Sequence, residues 1–400
     1  MPSKPNDDDL SAIKRRQQTV RQNWSSPVNE EIFQVSDKLA LANQRNCENM
    51  IGAVQLPLGL AGPVKIISAD GEVEGAKNSA EYMLPLATSE GALIASVGRG
   101  LKAINQSGGA KVWTDNAGMS RAPVFAFPDG EQAVVFANFL GQSQTLSSIK
   151  TITEATSSHL HFKNLQSFVR GRNVYARFSF LTDQAMGMNM VTIALDQLWQ
   201  QLLSDYPNIK LVALSSNVCT DKKASVINQL LGRGYSAQAE VKLSAQVLEE
   251  ILHTNAASFM RTHQLKNLQG SNLAGSFNHN MQFANVVAAF YAATGQDLAH
   301  IVEASQGSTM VETEGDGLYI AVHLPNLPLG TVGGGTALPS QVAARSLISR
   351  DEINPSAQTL AMVLAAGVLA AEISGIAALS DNTLAKAHQS LARKSKEGSR

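Results

Sequence analysis

The 400-residue chain carries 32 basic and 33 acidic side chains, so no basic excess points to nucleic acid or another polyanion. Charged residues make up 16% of the chain against 44% hydrophobic ones, which suits a compact enzyme or obligate oligomer and excludes a disordered, highly solvated polymer. The two cysteines, Cys47 and Cys219, are too few for a disulfide framework and lack metal-ligand spacing. A reducing, cytoplasmic setting without a metal centre is expected.

Residues 1–47 read as a polar, partly helical segment. Their start, "MPSKPNDDDLSAIKRRQQTV", lacks the apolar core of a signal peptide. At Glu48 the texture changes to "ENMIGAVQLPLGLAGPVKI", rich in Gly and Pro and ending in a β-like run. "PLATSEGALIASVGRGLKAINQSGG" predicts a helix capped by Thr88 or Ser89, with Leu93, Ile94, Val97 and Leu101 at helical spacing and Gly108-Gly109 as its stop. Glu90 then falls in its first turn. Over residues 123–213 the segments "APVFAF", "QAVVFANFL", "NVYARFSF" and "IKLVALSS" read as strands, with helices over 143–169 and 188–205. The expected fold class is α+β. A small unit, ferredoxin-like in pattern, is inserted into a larger domain formed by residues 48–122 and 214–400. The remainder reads as helix-rich, with a charged tail over 381–400. Its longest uncharged apolar run, 360–371, is too short to cross a bilayer and predicts a buried helix.

"SNVCTDKKASVINQLLGRG" places an aspartate and two lysines, Asp221, Lys222 and Lys223, directly behind the apolar run 209–214, read as a buried strand. Lysine is rarely buried unpaired, so these ammonium groups either face water or meet an anion. Glu90 suits the positive end of a helix, Asp297 a helix N-cap, and His388 an exposed turn of the polar "TLAKAHQSLARK" helix. "GTVGGGTALP" can be a connector or an anion site before a helix. The methionines of "DQAMGMNM" are ordinary core filler. "GRGLKA" and "GRGYSA" both follow helices rather than strands, which makes them turns and excludes a Rossmann phosphate site.

Taken in order, "ENMIGAVQLPLGLAGP", "PLATSEGALIAS", "AMGMNM", "NVCTDKKASVINQLLGRG", "GQD", "GTVGGGTALPSQ" and "KAHQSLAR" resemble the 3-hydroxy-3-methylglutaryl-CoA (HMG-CoA) reductase family, in its eukaryote- and archaea-like class. The resemblance implies reduction of HMG-CoA to mevalonate and free CoA by two hydride transfers, for isoprenoid synthesis. It assigns Lys222 to the intermediate oxyanion, Glu90 to protonation of the carbonyl oxygen, Asp297 to the same network and His388, on a closing C-terminal flap, to protonation of the CoA thiolate. A helix terminus and a lysine both depress a carboxyl pKa, so coupled titration with burial of Glu90 is expected. Arg121, Ser215, Asp221, Lys223, Lys266 and Asn285 are implied substrate contacts. Glu48, Asn49, Ile51, Gly52, Ser96 and Arg99 are implied CoA contacts. Ser157, Ser158, Met186, Gly187, Met188, Asn189, Gly333 and Gly334 are implied cofactor contacts on the small domain. The implied partners are HMG-CoA and CoA, within a homodimer or higher homo-oligomer whose active sites lie between subunits, with no nucleic acid or membrane.

Three positions depart from the family pattern. Ser158 in "TSSHLH" stands where an arginine would meet the 2′-phosphate of NADPH, which leaves NADH as the alternative cofactor. Gln184 in "TDQAMGMNM" replaces the usual acid, with Asp183 one place early. Gln282 in "SFNHNMQFAN" replaces a histidine in a shortened loop. The rival readings are oxidative, NAD-dependent mevalonate degradation and a non-catalytic acyl-CoA-binding relative.

Overall fold

A computed structural model describes residues 9–23, 30–68, 79–205 and 209–380. His388 and the flap expected over 381–400 lie outside them. Strands β1 (Leu58–Ser68), β2 (Ser79–Ala87), β3 (Ala110–Arg121), β8 (Gly234–Leu243), β9 (Ser308–Glu314) and β10 (Gly317–Leu327) form one sheet in the order β2-β1-β3-β8-β10-β9. Only β1 and β3 run parallel in it. The region read as helix-rich therefore contributes three strands. Their alternating burial, as in "GYSAQAEVKL" of β8, shows the period-2 pattern of a sheet with one face on the core.

Helices α1 (Asp9–Asn23) and α2 (Leu93–Gln106) precede the small unit. Within that unit lie β4 (Val124–Ala126), α3 (Gly130–Leu140), α4 (Ser143–Glu154), β5 (His161–Arg170), β6 (Asn173–Leu181), α5 (Met188–Asp205) and β7 (Lys210–Ala213). Its antiparallel strand order is β7-β4-β6-β5, and the end of β3 joins it by pairing Met119 with Phe180. The chain passes from one sheet to the other at a register shift between Asn116 and Gly118. Gly118 has φ 82° there, a left-handed conformation that glycine adopts without strain.

One expected strand and one expected helix change on folding. "QAVVFANFL" lies within α3, because the Asp129 side chain accepts the Gln132 N–H at 2.9 Å and Ala133, Phe136 and Leu140 bury one helical face. The helix expected over 143–169 stops at Glu154, and its second half is β5. The run before the lysines is a half-exposed strand, not a buried one.

The last described elements are α6 (Val226–Leu231), α7 (Phe283–Thr294), α8 (Pro339–Ser346) and α9 (Ala357–Ser380). Helix α9 is buried almost throughout and packs on α2, α7, β8 and β10. It is long and apolar enough to cross a membrane, but protein surrounds it on all sides. Each fully buried leucine on it contributes about 1.5–3 kcal/mol. The small unit has a separate aromatic core around Phe125, Phe136, Phe178 and Trp199.

Candidate active site

The segment from Ser216 to Ser225 leaves the small unit and enters α6 by an unusual path. Asn217, Thr220 and Lys222 have φ of 64°, 60° and 58°. For β-branched Thr220 this is a genuine outlier, and such strain persists only where surrounding contacts over-determine it. Those contacts are present. The Ser120 hydroxyl donates to the Cys219 carbonyl at 2.8 Å, the Lys222 N–H to Glu303 Oε1 at 3.2 Å and the Ser225 N–H to Gln306 Oε1 at 3.1 Å. Asn228 Nδ2 donates to the Lys223 carbonyl at 3.1 Å.

This turn aims the Lys222 ammonium at Asp297, with Nζ 2.9 Å from Oδ2. Asp297 also caps the short helical turn after it, its Oδ1 accepting the Ala299 N–H at 3.0 Å. Burial pushes the Asp297 carboxyl up, but Lys222, that N–H and His300 outweigh it and hold the group below its ordinary pKa. The capping role and the charge-pair role thus coexist in one side chain.

Beneath them lies a buried charge network. Arg233, wholly buried between Gly232 and Gly234, places Nη1 2.6 Å from Glu303 Oε1 and Nη2 2.9 Å from Asp221 Oδ1. Arg121 Nη1 lies 3.7 Å from Asp221 Oδ2, and its guanidinium donates to Thr192 Oγ1. Buried His300 stands 3.3 Å from Asp221, 3.6 Å from Asp297 and 3.7 Å from Glu303, outside hydrogen-bond geometry. Burial raises the Asp221 carboxyl, yet His300, Arg233 and Arg121 hold it well below the usual range. Burial dominates at Glu303 and pushes it up against the opposing Arg233 and His300 charges. Asp221, His300 and Glu303 have the spacing of a metal-ligand triad. The Arg233 guanidinium already occupies two of those carboxylates, so the cluster is an ion-pair network and not a cation site. Arg233, His300 and Glu303 escaped the sequence reading, since their partners lie far away in the chain.

Glu90 does not sit in a helical first turn. Helix α2 begins three residues later, after left-handed Ala92, and Thr88 Oγ1 accepts the Glu90 N–H at 2.9 Å. The Glu90 side chain is exposed and its Oε1 accepts from Asn285 Nδ2 at 3.2 Å, so this chain alone does not supply the burial expected of it. Ser215, Lys223 and Lys266 are also exposed. The Ser215 hydroxyl is 3.3 Å from Cys219 Sγ, and Lys223 Nζ donates to the Asp221 carbonyl at 3.2 Å.

The residues expected to meet a cofactor converge. His159, beside Ser157 and Ser158, places Nδ1 2.8 Å from Asp183 Oδ2, and His161 Nε2 lies 3.7 Å from Oδ1. The Thr331 N–H donates to the Gln184 carbonyl at 2.7 Å, which ties the Met186–Gly187 turn entering α5 at Met188 and Asn189 to the segment of Gly333 and Gly334. A Cβ at either of those two glycines would meet open space. Gln184 Oε1 accepts the Ala357 N–H at 2.8 Å, so the residue in the usual acidic position fastens the start of α9.

The two halves of the expected CoA set are anchored on different elements. The segment with Glu48, Asn49, Ile51 and Gly52 is pinned by α1, through Arg16 to the Met50 carbonyl and Gln17 to the Ile51 carbonyl, both at 2.8 Å. Ser96 and Arg99 reach inward to Ser374 of α9.

A family model described as hydroxymethylglutaryl-coenzyme A reductase matches residues 12–393. The chain is 40% identical to a 3-hydroxy-3-methylglutaryl-coenzyme A reductase of Pyrococcus horikoshii, over 87% of this chain and 84% of that one. It is 43% identical to the enzyme of the same name from Halobacterium salinarum, over 86% and 84%. A Hevea brasiliensis reductase is 39% identical over 88% of this chain and 60% of the plant protein. Among solved structures, the class II reductase of Streptococcus pneumoniae, bound to NADPH, shares the fold at a TM-score of 0.67 with 18% identity, covering 92% of this chain and 96% of that one. By the family match and by its archaeal relatives, the chain belongs to the hydroxymethylglutaryl-coenzyme A reductase family.

Proposed function

We propose that the protein reduces HMG-CoA to mevalonate and free CoA, drawing two hydrides from NADPH, as a cytoplasmic homo-oligomer in isoprenoid synthesis. The observation that carries this is the Lys222–Asp297 pair on its strained, over-determined turn. Lys222 presents a fixed ammonium to the oxygen that gains charge when the thioester carbon is reduced, and Asp297 keeps that ammonium aimed. Glu90, oriented by Asn285, passes a proton to the same oxygen. Arg121, Ser215, Lys223 and Lys266 contribute cationic and hydroxyl groups for the acyl carboxylate, and Asp221 braces Arg121 and Lys223. By the resemblance, His388 protonates the CoA thiolate.

The residues present fit a nicotinamide cofactor. The Ser158, Gly187 and Gly333 loops are tied side by side, with exposed Asn189 and two open glycines. Residues 123–213 have the strand order and helix placement of a ferredoxin-like unit, which supports reading them as the cofactor domain between residues 48–122 and 214–400. When bound there, NADPH supplies the hydrides. Exposed Glu90, together with exposed apolar side chains at Val54, Leu56, Leu58, Leu60, Leu273 and Phe277, supports a second subunit in the assembly.

The test follows nicotinamide absorbance with HMG-CoA and NADPH, and with NADH in parallel, using Lys222→Ala as control. Turnover that disappears in the variant is expected. A folded oligomer that turns over with neither cofactor refutes the proposal.

A further inference from the structure

Between Gln358 and Thr359 in its first turn and Ser380 at its end, helix α9 is apolar on every face except at one turn. There the fully buried Glu372 accepts four hydrogen bonds. The Met281 N–H reaches Oε2 at 2.9 Å and Oε1 at 3.1 Å, the Gln282 N–H reaches Oε1 at 2.7 Å, and the Thr309 hydroxyl donates to Oε2 at 2.6 Å. One residue earlier, the Ala371 carbonyl accepts from Gln282 Nε2 at 2.7 Å, so the residue replacing the family's histidine is fastened to the same turn. Two residues later, Ser374 Oγ lies 2.9 Å from Ser96 Oγ and accepts from Arg99 Nε at 3.0 Å. Glycines permit this closeness. A Cβ on Gly100 would lie 1.9 Å from the Ala370 carbonyl oxygen, and one on Gly375 would lie 2.4 Å from Met281 Sδ.

One turn of α9 therefore holds two elements at once, the N-terminus of α7 and the body of α2. Asn285 is in the first turn of α7, and Glu90 lies just before α2. These are the two partners of the Asn285–Glu90 hydrogen bond. Gln282 occupies the N-cap of α7 without a side-chain cap bond, so Glu372 acts as a remote cap. An apolar side chain there would leave the Met281 and Gln282 N–H groups and the Thr309 hydroxyl without an acceptor, so the carboxylate fixes where the N-terminus of α7 sits.

We propose that Glu372 is a positioning residue for the reductase reaction, setting Asn285 against Glu90 through the N-terminus of α7. This rests on the reductase reading. Burial pushes the Glu372 carboxyl above its ordinary pKa, with the Thr309, Met281 and Gln282 donors and the nearby Lys266 charge opposing.

Glu372→Gln keeps the shape but turns an amide N–H toward the donors it must satisfy. Thr309→Val removes one donor and leaves the two backbone clamps. Both are measured for kcat and KM with HMG-CoA and NADPH, with and without Asn285→Ala. Amide hydrogen exchange of peptides spanning residues 278–290 is followed alongside. Glu372→Gln is expected to lower kcat about tenfold or more, to leave KM for NADPH within about twofold, and to speed exchange in the first turn of α7. Thr309→Val should hold kcat within about twofold, and Glu372→Gln should add no more than about twofold on the Asn285→Ala background, because both act through one contact. Fully multiplicative losses, or unchanged exchange in α7, overturn the proposal. A wild type inert toward HMG-CoA sinks the reductase reading instead, and the exchange measurement still decides whether Glu372 holds α7.

Discussion

Replacing Lys222 separates what its side chain does for the fold from what it does for the reaction. The ion pair with Asp297 is short, but its side chains are 40% and 38% exposed, so water screens it. Its loss costs at most about 1 kcal/mol. Lys222 also holds φ 58°, a left-handed conformation that strains an L-residue by roughly 1–2 kcal/mol. Alanine keeps that strain, whereas glycine releases it at an entropic cost of about 0.5–1 kcal/mol. Lys222→Gly should therefore be at least as stable as Lys222→Ala, with both within roughly 1 kcal/mol of wild type. Activity should respond far more strongly, since removing one oxyanion donor costs about 10²–10³ in kcat, or about 2.7–4 kcal/mol. Urea unfolding followed by tryptophan fluorescence gives the first quantity and NADPH oxidation the second. If both variants lost more than about 3 kcal/mol of stability, or if activity fell only with the folded fraction, the lysine would be a structural group and the reasoning wrong.

Arg233→Met leaves the buried Glu303 and Asp221 carboxylates without their guanidinium, and urea unfolding should show a loss of about 3–5 kcal/mol. Because the Asp221 carboxyl is depressed in the folded state, its stabilisation is complete above the unfolded pKa near 3.9 and is lost as pH falls through the folded value. Unfolding free energy should therefore climb between pH of about 2 and 5, and the slope should flatten in Asp221→Asn. Gly100→Ala drives a Cβ against the Ala370 backbone, and thermal melting should register a loss of about 1–3 kcal/mol or more. Ser158→Arg restores a guanidinium beside the His159–Asp183 pair. It should raise the kcat/KM preference for NADPH over NADH about tenfold, and an unchanged ratio would place the 2′-phosphate elsewhere.

Long uniform patterns were legible before folding. The apolar run 360–371 became the core of α9, and the helix over 188–205 kept both of its ends as α5. Short apolar runs were legible in part: "APVFAF", "NVYARFSF" and "IKLVALSS" hold strands β4, β6 and β7, but a fourth run is helical. "QAVVFANFL" offers valines and phenylalanines suited to either period, and the deciding signal was the Asp129 cap outside it. Strands β8 to β10 are masked in the sequence by neighbouring segments of helical pattern, although "GYSAQAEVKL" alternates cleanly. At the site, Glu90, Lys222 and Asp297 were picked out, yet which of them touch was not visible. Lys222 pairs with Asp297, while Glu90 pairs with Asn285. The Arg233–Glu303 pair has no signature at all in one dimension, since a buried arginine looks like any other until its partner arrives from another element.

Strands β3 and β8 are immediate neighbours, yet the whole small unit is threaded between them. Val124 at its beginning pairs with Ala213 at its end, so once folded it returns the chain close to where it departed. Closing a flexible segment costs only about 0.6 kcal/mol more for each doubling of its length, and this one removes much of even that. The consequence falls on synthesis. A nascent chain reaching residue 213 holds a complete small unit but only half of the large sheet. The side of α2 that packs on α9 then waits, uncovered, until α9 leaves the ribosome. Limited proteolysis of chains stalled at that length should spare residues 123–213 and cut within the first hundred or so, the order in which the two cores become self-sufficient.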